Sequence, residues 1–253
     1  MKTQTKILGF LLFFLLLIGV FYLSLIVNDD THEDEIKVIQ LIGCDLISKE
    51  NYLKFARLDK SDNYKDINSI IIRDRFIKHP YIKTVTVQFT DKNILTVKIT
   101  EKNIKCLILG DTITKAITDN FEFIPYLKDT RNNNWIKLTN FDETSTKIFT
   151  INKSNNIVKI FKVLDIMQNI DPELLSKIVR IDNAKNQYLT YYTSDNNIIK
   201  MEYDKIEKTT FILSKIYSNY IKNISNSYIN MLYDNFVYFS SKIPNDSVKN
   251  IGI

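Results

Sequence analysis

Between residues 36 and 102 the apolar pattern switches from the two-residue period of a strand to helical spacing and back, and no other stretch restricts the fold as tightly. Residues 36–42 read as a strand and Gly43-Cys44 as a corner. Ser48 stands just before Tyr52, Leu53 and Phe55, where its hydroxyl can accept from an orphan amide of a first helical turn. Asp66 is read the same way, as the cap of a second helix over 67–77. There Ile67, Ile70, Ile71 and Phe76 or Ile77 recur at helical spacing and leave Asn68, Arg73 and Asp74 for solvent. His79 precedes Pro80, and a residue before proline is pushed out of the helical region, so this helix ends there. Ile82, Val85, Val87 and Phe89 are β-branched or aromatic, a polar Thr90-Asp91-Lys92-Asn93 connection follows, and Leu95, Val97 and Ile99 alternate. The pattern is β-α-α-β-β, in which two helices cover one face of a three-stranded sheet.

Residues 7–27 carry no charge over 21 positions, enough for a helix of about 31 Å, the thickness of a bilayer core. The side chains at 22–27 are bulky and offer no small-x-small cleavage site, so the expectation is an uncleaved transmembrane anchor. Lys2 and Lys6 precede it, and Asp29, Asp30, Glu33, Asp34 and Glu35 follow. The positive side stays cytoplasmic, which puts the N-terminus in the cytoplasm and the bulk of the chain in the periplasm.

Beyond residue 102 the pattern is predominantly β. Residues 105–109, 115–118 and 135–140 read as strands, with an Asp119-Asn120 hairpin in which Asn120 suits a positive φ. Residues 157–167 form a helix whose stripe, Ile157, Ile160, Phe161, Leu164 and Met167, is read as core. After a polar corner at Asp171-Pro172, strands at 178–182, 188–193 and 198–202 make a meander. An amphipathic helix over 205–223, carrying Ile206, Phe211, Ile212, Leu213, Ile216, Tyr217 and Tyr220, covers it. Residues 228–241 read as one closing strand, with Tyr233, Phe236, Tyr238 and Phe239 close together at a sheet edge.

Chemistry is hard to place on this sequence. It has no glycine-rich phosphate loop, no Gly-x-Ser-x-Gly elbow and no His-Glu-x-x-His. Its two histidines, His32 and His79, fall in an acidic linker and at a turn, without a ligand-spaced partner. Spacing alone leaves the pairing of Cys44 and Cys106 open, and their surroundings suit two small apolar residues rather than a bridge. The net charge of +5 is mild, so nucleic acid is not an expected partner. The expectation is no catalysis, no cofactor, no metal and no small-molecule substrate.

The stretches IQLIGCDLISKENYL, IIIRDRFIKHPYIKTVTVQF and LTVKITEKN succeed one another in the order of the POTRA domain of the bacterial division family FtsQ, also called DivIB. They resemble its V-x-G-N-x-x-(I/L)-S-x-x-x-(I/L), L-x-x-x-P-x-I-x-x-(V/A)-x-V and L-x-I-x-V-x-E-(R/K) patterns. AITDNFEFIP is similar to (Y/L)-(V/I)-D-x-x-G-x-x-(M/F)-P, without its glycine. SYINMLYDNFVYFSSK resembles I-(D/N)-L-(R/K)-Y-x-N-x-V, with Leu232 where the family has Arg or Lys. The resemblance runs from the anchor to about Lys242.

It implies an α+β chain: a single transmembrane helix, a small β-α-α-β-β POTRA domain, and a larger, mainly antiparallel β domain with one or two covering helices. The boundaries are a cytoplasmic tail 1–6, helix 7–27, linker 28–35, POTRA domain 36–102, β domain 103–243 and tail 244–253. The implied role is a non-catalytic scaffold of the division complex, in the inner membrane and enriched at the septum. FtsB/FtsL-like single-pass proteins would bind at Tyr233, Asn235, Phe236, Val237 and Tyr238, and other division proteins would bind at a recruitment edge formed by Val85, Val87 and Phe89. The competing expectation is a POTRA protein of outer-membrane assembly or secretion, which the six or seven strands foreseen after residue 102 disfavour because a barrel needs many more.

Overall fold

The computed structural model describes residues 13–23, 36–60, 64, 67–131, 134–183, 187–222, 224–233 and 236–240. Residues 13–23 are helical (α1), with Phe13, Phe14, Leu15 and Leu16 among its exposed side chains. Among the described residues no helix is long and apolar enough to cross a membrane. The rest of the predicted 7–27 span, the 28–35 linker and the 244–253 tail lie outside the described residues.

Among the described residues the first sheet has three strands, β1 (Val38–Ile42), β2 (Ile82–Asp91) and β3 (Ile94–Glu101), in the order β1-β3-β2. β1 runs parallel to β3, and β2 pairs with β3 antiparallel. A parallel pair needs a crossover, supplied here by α2 (Lys49–Ala56) and α3 (Ser69–Ile77). The Ser48 side chain accepts from the Asn51 amide, as its position predicts. The second helix corrects the sequence reading twice. Its cap is Asn68, whose side chain accepts from the Ile71 amide, while Asp66 lies outside the described residues. Its buried face is Ile72 and Phe76, and Ile70, Ile71 and Ile77 are exposed. With isoleucine at 70, 71 and 72 in succession, periodicity cannot choose a face.

Gly43 and Glu101 organise the turn after β1. Gly43 has φ +83°, and a Cβ there would lie 2.1 Å from the Ile99 carbonyl oxygen, so only glycine fits the corner. The Glu101 carboxylate accepts from the amides of Asp45 (2.9 Å) and Leu46 (2.8 Å) and from the Tyr52 hydroxyl (2.5 Å). The end of β3 thereby holds the loop that leads into α2.

Among the described residues the second sheet has ten strands rather than the six or seven foreseen. They are β4 (Ile104–Leu109), β5 (Thr114–Thr118), β6 (Glu122–Pro125), β7 (Ile136–Thr139), β8 (Thr150–Ile151), β9 (Ile178–Asp182), β10 (Tyr188–Thr193), β11 (Ile198–Glu202), β12 (Tyr228–Tyr233) and β13 (Phe236–Ser240). Their order is β13-β12-β11-β10-β9-β7-β4-β5-β6-β8. Most pairings are antiparallel, including the predicted β9-β10-β11 meander. Three, β4–β7, β7–β9 and β11–β12, are parallel.

Helix α4 (Asn155–Ile170) is capped by Ser154 and buries all five residues of its predicted stripe. The supposed polar corner after it is a short helix, α5 (Pro172–Lys177), with Asp171 as its cap. Proline at the first turn favours this, because its missing amide would be an orphan there anyway. The hairpin after β5 takes its positive φ at Phe121 (67°), not at Asn120.

The two sheets share a core. Cys106, Ile108, Ile117 and Phe123 pack under α4 and α6 (Ile206–Ile216), whereas Ile104, Leu107, Ala116 and Ile124 join Tyr52, Phe76 and Tyr81 of the first sheet's cluster. Strands β4 to β6 are therefore buried on both faces. The Leu127 amide donates to the Tyr81 hydroxyl (2.9 Å), the Arg131 amide donates to the Leu46 carbonyl (2.8 Å), and Lys102 pairs with Glu122 (2.9 Å) across the junction.

Candidate partner-binding edges

The closing stretch is a hairpin rather than one strand. β12 lies between β11 and β13, and Tyr233 pairs with Phe236. The true edge is β13, which among the described residues pairs with β12 alone. A register shift falls between Asn230 and Tyr233, where the Leu232 amide donates to Asn230 Oδ1 (3.0 Å).

Of the five residues assigned to partner binding, Tyr233, Phe236, Val237 and Tyr238 come together on this hairpin, and Asn235 lies outside the described residues. All four are exposed, Phe236 at 76% and Tyr233 at 65%. Val237 and Phe239 line an apolar groove of about 340 Å³ with Ile216, Tyr220, Ile221 and Ile224. Phe239 lies opposite Ile229, which is fully buried in the core under α6. After Ile216 this helix widens into a π-helical turn, Tyr217–Ile221. The strand's inner face is thus apolar but only partly roofed.

The helix also corrects the sequence reading. Phe211 and Tyr220, assigned to its buried stripe, are exposed, and Thr210 and Ser214 are buried with Leu213 and Tyr217. Ile216, Tyr220, Ile221 and Ile224 were missed as groove residues because an amphipathic count cannot say how far the sheet beneath extends. The outer face of the sheet carries cations over rings: Arg180 lies 3.8 Å from the Tyr192 ring centre, and Lys200 lies 5.1 Å and 5.4 Å from those of Tyr188 and Tyr228.

The second assigned edge, Val85, Val87 and Phe89, falls on β2, an outer strand of the other sheet. Val85 is buried, Val87 is half-buried against the core, and Phe89 is 37% exposed. Thr84, Thr86 and Gln88 alternate with them along the strand and are exposed.

Burial pushes the Cys44 thiol up to about 11, with Glu101 adding to the rise, and pushes the Cys106 thiol up to about 12. Both are free, buried thiols, without the thiolate character that a nucleophile needs. His79 is pushed down to about 4 by burial and by Lys102. Its Nδ1 accepts from the Tyr81 amide, and its ring meets Tyr52, Phe55 and Tyr81 edge-on. Among the described residues no three His, Cys, Asp or Glu side chains are grouped to hold a metal.

No family model matches the chain, and no curated protein does. A solved structure of the major extracytoplasmic domain of the trans isomer of the bacterial cell division protein DivIB, from Geobacillus stearothermophilus, is similar at 10% identity and a TM-score of 0.30, over 50% of this chain and 99% of that one.

Proposed function

We propose that this protein is a non-catalytic, membrane-anchored scaffold of bacterial cell division, of the kind the FtsQ-like motifs imply. The observation that carries the reading is β13, a terminal strand with four successive exposed apolar side chains, Phe236 to Phe239, beside a partly roofed groove. An unpaired strand edge offers a ladder of amides and carbonyls for β-augmentation, in which main-chain bonds supply affinity and alternate side-chain pockets supply specificity. The occupant in this reading is a strand from an FtsB-like protein paired with an FtsL-like one. Leu232 removes one ion pair that the family's basic residue could make. β2 serves as the recruitment edge for other division proteins, and residues 7–27 hold the chain in the inner membrane.

Two measurements test this. A fluorescently tagged chain concentrates at midcell in dividing cells, and uniform envelope signal argues against a division role. Val237→Pro abolishes co-purification of the FtsB-like partner while circular dichroism stays native, and unchanged capture by a folded variant rules the β13 edge out.

A further inference from the structure

A pocket of about 480 Å³ opens where the parallel strands β4 and β7 begin, a volume within the roughly 300–1,000 Å³ of small-ligand sites. Ile104 and Ile136, the first residues of those strands, give it a buried apolar floor. Trp135, half-buried against the first sheet's cluster, adds an indole wall. The polar part of the lining is rich in carboxamides, with Asn103 before β4, Asn134 before β7 and Gln168 on α4 all exposed. Its one charged residue, Lys105, is already paired with Asp165 at 3.1 Å.

We propose that this pocket binds an uncharged pyranose ring of a glycan, stacked by a C–H face on Trp135 and held through its hydroxyls by the Asn103, Asn134 and Gln168 carboxamides. A carboxamide both donates and accepts, as a hydroxyl does, so three of them match a ligand with several hydroxyls. An anion is disfavoured because the lining's only cation already has its carboxylate. An indole ring offers a broad apolar surface beside polar neighbours, which suits a ring with an apolar face and a hydroxyl periphery. Topology excludes a partner's strand: β4 lies between β7 and β5, and β7 lies between β9 and β4, so neither offers a free edge. The pocket is separate from the edges at β13 and β2, and its occupancy does not depend on the proposed division role.

Trp135 is the chain's single tryptophan, so tryptophan fluorescence reads this pocket directly. The full chain in a polyoxyethylene detergent, which carries no sugar headgroup, is titrated with the β-1,4-linked trimers of N-acetylglucosamine and of glucose, and with adenosine as a flat heterocycle. At least one trisaccharide should shift the emission saturably, and adenosine should not. A response to the acetylated trimer alone assigns part of the pocket to an acetamido group, whereas a response that includes the glucose trimer assigns the contacts to ring hydroxyls. Asn134→Ala and Gln168→Ala change exposed positions, and each should weaken binding about fivefold, the share of one hydrogen bond, with the thermal midpoint unchanged. Trp135→Ala removes the optical signal and some core packing, so this variant is read by saturation-transfer NMR of the bound trisaccharide together with circular dichroism, and a folded variant should show no transfer. No emission change with either trisaccharide, tighter binding of adenosine, or full affinity in the Asn134→Ala, Gln168→Ala double variant overturns the proposal.

Discussion

Glu101 shows how much one side chain can hold. In the sequence it stands as the Glu of the LTVKITEKN stretch at the end of a strand, and in the fold its carboxylate takes two loop amides and the Tyr52 hydroxyl, joining β3 to the entrance of α2. Hydrogen bonds to a charged acceptor contribute about 1.5–3 kcal/mol, and buried donors left without one cost a similar amount. Glu101→Ala should therefore destabilise the chain by about 2–4 kcal/mol in urea titration, and Glu101→Gln by less, because it keeps one acceptor. His79 sets a pH dependence. Its folded value of about 4 lies below the ordinary 6.5, so the unfolded chain takes up the proton first. Stability is full above pH 6.5, falls as pH drops, and loses its slope below about 4. At 1.36 kcal/mol per unit the whole effect is on the order of 3 kcal/mol. Urea midpoints between pH 7 and 4 should show this decline, and His79→Phe should flatten it.

Among the elements, the β12–β13 hairpin separates stability from function most cleanly. Ile229 and Met231 of β12 are buried, so truncating either should cost stability as any core cavity does. Tyr233 and Tyr238 are exposed, and surface substitutions of this kind usually stay within about 0.5 kcal/mol. The double variant Tyr233→Ala, Tyr238→Ala should keep its urea midpoint and, on the proposed function, lose capture of an FtsB-like protein in pulldown. A large drop in midpoint would mean these rings serve the fold instead.

At the scale of the whole molecule, the shared core couples the two sheets. Ile104, Leu107, Ala116 and Ile124 complete a cluster whose other buried members come from residues 36–99. A fragment of residues 36–102 would expose what these four cover, at roughly 25 cal/mol per Å² of apolar surface returned to water. It should therefore unfold at lower urea than the same residues within the full chain, where hydrogen exchange reports them directly. Equal protection in fragment and full chain would show that the first sheet stands alone. The junction contacts at Tyr81, Arg131 and Lys102 then act as ties that fix one sheet against the other.

Local chemistry by itself determined the β-α-α-β-β order, the Ser48 cap, the helix stop before Pro80, the α4 stripe and the meander, because each depends on neighbours within one turn or one strand pair. Tertiary structure decided what local patterns leave degenerate. Three successive isoleucines fit either face of α3, and packing against the core selected Ile72. A continuous aromatic run fits one strand or two, and the partnership of β12 with β11 divided it. The alternation of β4 and β5 cannot tell one buried face from two. The burial of both came from bringing a second sheet's apolar side against them, which no spacing within the chain encodes.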